Sequence, residues 1–132
     1  MKKTAIMAAA LVMGLTSAAS AKTPLKDVGT VREGIIAIGM ALEIADKCES
    51  ISPRYLRGIS YLNTLKSHAA SLGYTDAEIE AYTDDKAEET RLKGIARSRL
   101  VELGAVAGDG DSYCTVGRAE IAAQSATGRL LR

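Results

Sequence analysis

Between Val28 and Ala45 the apolar residues Val28, Val31, Ile35, Ile38, Leu42 and Ala45 advance by three and four in alternation, which is the stripe of a helix. Ile36, Met40 and Ile44 form a second stripe beside it. A helix apolar on two adjoining faces belongs at the centre of a fold, and this one is expected to run to about Cys48. A second helix follows, with Ser52 as N-cap, Pro53 in its first turn and Tyr55, Ile59, Leu62, Leu65, Ala69 and Leu72 facing inward. Gly73 supplies the left-handed residue that ends it.

Thr75 to Glu78 reads as a capping box that starts a short helix carrying Ile79 and Tyr82 inward. From about Asp85 to Leu103 the pattern resumes, with Leu92, Ile95, Ala96, Leu100 and Leu103 inward and Gly104 as stop. The pattern leaves open whether 76–103 is one kinked helix or two. "GAVAGDGDS" is a turn-rich loop, after which Asp111 or Ser112 caps a last helix over Tyr113–Leu131. That helix is rich in small residues (Gly117, Ala119, Ala122, Ala123, Ser125, Ala126, Gly128), which favours a flat, close approach to the first helix. The reading is an all-α fold, a bundle of about four main helices. It lacks phenylalanine and tryptophan, so aliphatic residues and five tyrosines must build its core.

The first residues change the picture of where this bundle works. "MKK" is a basic n-region, "TAIMAAALVMGLTS" an uncharged apolar stretch too short to span a bilayer, and Ala19-Ser20-Ala21 an A-x-A cleavage site. The expectation is a signal peptide over 1–21, a single domain over 22–132, a periplasmic or secreted location, and no stable membrane insertion after cleavage. Losing Lys2 and Lys3 takes the basic count from 17 to 15 against 16 acids, a near-neutral balance that gives no argument for nucleic acid. In an oxidising compartment the only two cysteines, Cys48 and Cys114, are expected to pair, joining the end of the first helix to the start of the last.

Candidate chemistry is sparse. There is one histidine, His68, and no nucleophile motif, metal-ligand spacing or phosphate loop, so neither an enzyme nor a cofactor is expected. The seven acids from Asp76 to Glu89, followed by Arg91, Lys93, Arg97 and Arg99, suit a solvated helix face. "SPRYLRGISYLNTLK" interleaves Arg54, Tyr55, Arg57, Tyr61, Asn63 and Lys66, a composition favoured at binding hot spots and the candidate interaction surface. The same residues also read as core tyrosines flanked by snorkelling bases.

The runs "CESISPRYLRGISYLNTLKSHAASLGYTDAEIEAY" and "YCTVGRAEIAAQSATGRLL" resemble a family of small exported bacterial proteins classed only as a domain of unknown function. Both cysteines lie inside them. The resemblance implies a signal peptide, a helical domain and no assigned activity; some members are encoded beside respiratory NADH dehydrogenase genes, and no site residues carry over. The expected function is that of a non-enzymatic envelope protein binding an unknown protein partner. An acid- or stress-responsive chaperone that loosens around its carboxylates, and a small-ligand carrier using space beside the small-residue helix, are the alternatives.

Overall fold

The doubly apolar helix is the axis of the fold. In the computed structural model, which describes residues 22–132, it is α1 (Gly29–Lys47), and every longer helix packs on it. Around it stand α2 (Tyr55–Ser71), the short α3 (Asp76–Thr83), α4 (Lys86–Glu102) and α5 (Gly110–Ala123), with 3-10 turns at Leu25–Asp27 and Gly128–Leu130. The architecture is all-helical, and Cys48 and Cys114 come together as a disulfide with Cα atoms 5.1 Å apart. The residues expected to form a signal peptide, 1–21, lie outside the described part.

Both stripes of α1 are used, unequally. Ile36, Met40 and Ile44 are buried against Leu92, Ala96 and Leu100 of α4 and Tyr113, Cys114 and Val116 of α5. In the other stripe only Val31 is buried; Ile35 and Ile38 are partly covered, and Leu42 is 48% exposed. The reason is the company each face keeps. Two helices cover the first, whereas the second is closed at its N-terminal part by Leu25, Ala69, Tyr74 and Ile79 and left open at Leu42. Tyrosines do help build the core, with Tyr74 and Tyr113 buried and Tyr61 and Tyr82 partly so.

Several expected helix ends are observed. Gly73 is left-handed (φ 92°) after α2, and Gly104 (φ 112°) follows α4. At α3 the capping box is complete: the Glu78 amide donates to Thr75 Oγ1 at 3.2 Å, and the Thr75 amide donates to Glu78 Oε2 at 2.7 Å. Segment 76–103 is two helices. Asp85 caps the second, its carboxylate accepting from the Ala87 and Glu88 amides at 3.0 Å each.

Two boundaries differ from expectation, for one reason. Helix α2 does not begin at Ser52 and Pro53. Instead Ser52 exchanges backbone hydrogen bonds with Arg132, and the Arg54 amide donates to the Leu130 carbonyl at 2.8 Å. That pairing holds residues 52–54 out of the helix, which starts at Tyr55 without a side-chain cap. Correspondingly α5 stops at Ala123, where Gln124 turns left-handed, and does not continue to Leu131. Its N-cap is Asp109 rather than Asp111 or Ser112; the Ser112 hydroxyl is occupied with the 106–109 turn.

The chain then doubles back over α5. A Cβ at Gly128 would lie 1.9 Å from the Glu120 carbonyl oxygen, so only glycine permits this return. The small residue at 117 does serve close approach to α1, since a Cβ there would meet Ile44 and Ile51 within 2.7 Å. Ala119, Ala122, Ala123 and Ala126, by contrast, face solvent. The return buries Leu130 and Leu131 and brings the last residues to the start of α2.

Candidate functional site

Where α2 begins, its apolar residues outrun the surface available to cover them. Tyr55 (69% exposed), Leu56 (85%) and Ile59 (58%) project from its first turns. Of the stripe expected to face inward, only Leu65 and Ala69 are fully buried; Leu62 is partly covered, and Tyr55, Ile59 and Leu72 are exposed. The cause is architectural. Helix α2 packs on α1, α3 and the 128–130 turn, and neither α4 nor α5 reaches over it as a further layer.

The result is a groove of about 260 Å³ between α1 and α2. Its walls are Ile38, Ala41 and Leu42 from α1, Tyr55, Gly58, Ile59 and Leu62 from α2, and Pro53, Arg54 and Leu130 at one end. Arg54 is the only charged residue in the lining. Its Nε is buried and has no hydrogen-bond partner. Arg57, exposed one turn along, donates from Nη1 to the Arg129 carbonyl at 3.5 Å, a long and weak contact.

The cluster anticipated from composition is thus divided by the fold. Arg54 and Tyr55 line the groove, and Arg57 stands near it. Tyr61 is turned toward the main core. Asn63 is exposed, and Lys66 lines a different, polar cleft between α2 and α3 with Asp76, Glu80 and Asp84. The residues that sequence reasoning assigned to the core or passed over are Leu42, Leu56 and Ile59. The available signal was a surplus: α1 and α2 together carry more apolar positions than one shared interface can bury.

Electrostatics single out the same end of the molecule. From Ser50 to Thr75 there is no acidic residue, while Arg54, Arg57 and Lys66 are present. Among the described residues, the ion pairs involve Lys22, Arg32, Lys47, Lys86, Arg91, Lys93, Arg97 and Arg99, and none involves Arg54, Arg57 or Arg129.

The acidic segment on the other side is self-satisfied. Glu88, buried beneath α3, takes a two-pronged contact from Arg91, Nε to Oε2 at 2.8 Å and Nη2 to Oε1 at 2.7 Å. This hydrogen-bonded guanidinium holds the Glu88 carboxyl below its usual range. The neighbouring Tyr82 hydroxyl is pushed up to about 12, chiefly by burial and then by the Glu88 charge. Lys93 and Lys86 flank Glu89 and bring it down to about 2. Among the described residues no group of three or more His, Cys, Asp and Glu side chains is placed to hold a metal ion, and no helix is long and apolar enough to cross a membrane.

Over residues 23–132 the sequence matches the model of a family described as a family of unknown function, DUF5333. The chain belongs to this family. No curated protein and no solved structure matches it. The family match thus takes in both cysteines, the five α-helices of the described residues and every wall of the groove, and brings no activity with it.

Proposed function

We propose that this member of the family is an exported, non-enzymatic binding protein of the bacterial envelope, and that the α1–α2 groove is where it holds another protein. One observation carries the reading: three large apolar side chains, Leu42, Tyr55 and Ile59, stand exposed in the walls of one concavity with an almost wholly apolar lining, and exposed Leu56 projects beside it from the first turn of α2. Leaving such surface in water is unfavourable by about 25 cal/mol per Å², and a contiguous exposed patch is the usual mark of an interface. A second exposed set at the end of α4, Val101, Leu103 and Val106, is a weaker candidate. The cleft Leu103 enters is lined by Glu33, Arg99, Glu102 and Glu120 as well.

The signal-like segment at 1–21 and the paired cysteines support export. The groove's volume falls below the roughly 300–1,000 Å³ of pockets that enclose small ligands, which favours a docked protein over carried cargo. Site-specific photo-crosslinking in intact cells tests the reading. A photoreactive residue at Leu56 is expected to give a discrete protein adduct in the envelope fraction, and one at exposed Ala87 of α4 is not. No adduct at Leu56, or the same adduct at both positions, contradicts it.

A further inference from the structure

We infer that the occupant of this groove is an amphipathic helix that brings carboxylates to the Arg54–Arg57 end; the inference rests on the docking reading above and adds the partner's chemistry to it. The shape argument comes first. The groove is walled mainly by side chains of two helices, and the extended backbone at its end is a single Pro53–Leu131 bridge, whose hydrogen bonds join 52–54 to 130–132, with no strand among the described residues. A furrow between two helices accepts the apolar stripe of a third, anchored at i, i+3, i+4 and i+7.

The charge argument selects which helix. Arg54 sits in the groove wall with Nε buried and without an acceptor. A buried N–H left without an acceptor is costly, and a carboxylate brought by a partner would meet it. Arg57 adds a second guanidinium with no acidic partner, beside the start of α2 at Tyr55, which has no side-chain cap. No acid lines the groove or lies anywhere from Ser50 to Thr75. Apolar floor and unneutralised basic end therefore complement an apolar helix with an acidic end. A second copy of this chain fits less well, because a two-fold contact through this face brings the same arginines of both copies into one interface. A bilayer also fits less well: it presents a broad surface to a concave site whose one buried donor lies in the wall.

The test uses the whole oxidised protein and two synthetic helical peptides of about four turns, with identical leucines at that spacing. One carries glutamates toward a single end of its apolar stripe and the other carries lysines there. Fluorescence anisotropy is expected to show the glutamate peptide binding at least about tenfold tighter, with affinity falling as salt rises. In R54Q/R57Q the preference should shrink to less than about twofold while leucine-dependent binding persists. L56S/I59S should lose both peptides. Thermal melts of the variants establish that they are folded, and the salt dependence of the unaltered protein tests the charge claim without any variant.

Equal binding of the two peptides, or tighter binding of the lysine form, overturns the inference while leaving a Leu56 crosslink in cells intact. Failure of both peptides to bind also overturns it. So does concentration-dependent self-association that L56S/I59S abolishes. Binding to vesicles of phosphatidylglycerol with the same dependence on Arg54 and Leu56 would assign the groove to a membrane instead. Absence of the Leu56 crosslink is the separate result that removes the docking reading itself.

Discussion

Reducing the Cys48–Cys114 bond while leaving the sequence untouched should cost the domain a large part of its stability. The bond joins residues 66 apart, the end of α1 to the first turns of α5. For a loop of that length the loss of closure entropy in the unfolded chain corresponds to about 4 kcal/mol. Domains of this size have about 5–15 kcal/mol in all. Reduction is a cleaner perturbation than substitution. Cys48 and Cys114 are 1% and 8% exposed, so cutting them back would add a cavity penalty, whereas two thiols fill nearly the same space. Urea unfolding followed by far-ultraviolet circular dichroism, with and without a phosphine reductant, reads the difference. With a slope near 2 kcal/mol per molar, the midpoint should fall by about 2 M. A difference below about 1 kcal/mol, with the bond shown intact by mass spectrometry in the unreduced sample, would refute the claim that this link holds the bundle. Free thiols in protein isolated from the envelope would refute it more directly.

Other consequences can be measured on the same protein. Gly128→Ala should lower stability by several kcal/mol and expose the 124–132 return to proteolysis, because the new methyl group meets the Glu120 backbone. Leu65→Ala, at a buried position against α1, should cost about 2–5 kcal/mol in urea unfolding, while Leu56→Ala on the same helix should cost less than about 0.5 kcal/mol. Acid should destabilise the fold. Glu88, Glu33 and Glu78 are all held below their usual carboxylate range by basic partners, so the stability they contribute is present above pH 4.5 and is lost as pH falls through their folded values. Glu88→Gln should flatten that acid limb of a stability-against-pH curve; an unchanged limb would discount the buried pair. Tyr82 acts in the opposite sense, its raised value removing stability as pH climbs from 10 toward 12, and Tyr82→Phe should lessen that alkaline loss.

What could be read from the chain in advance was whatever local chemistry determines. The Thr75–Glu78 box, the left-handed stops at Gly73 and Gly104 and the central place of α1 all depend on residues within a turn or two of one another. The misplaced ends depend on distant residues. Ser52 and Pro53 have the composition of a helix start, yet the backbone there is taken by Leu130 and Arg132, some eighty positions away. Gly128 looked like one more small residue of a long helix until the return over Glu120 gave it a reason to be glycine.

The groove was hidden for a related reason. Periodicity tells which residues share a face, and Tyr55, Ile59 and Leu62 do share one; it does not tell whether anything covers that face. Arginine and tyrosine pointed to the right stretch of α2, but half of that cluster turned elsewhere: Tyr61 to the core, Asn63 to solvent and Lys66 to the polar cleft facing α3. Leu42 and Ile59 looked from the sequence like ordinary core, and Leu56, which lies off the helical stripe, was passed over; all three are exposed.

The sharpest test is whether those side chains serve docking or folding. In the double variant L56S/I59S, made in the full chain and expressed in its native host, unfolding free energy and the in-cell crosslink from a photoreactive residue at Leu42 are measured together. The account predicts stability within about 1 kcal/mol of the unaltered protein and loss of the crosslink. A drop of more than about 2 kcal/mol would show that the groove face is part of the fold's own support, and a crosslink that survives would show that the partner is held elsewhere.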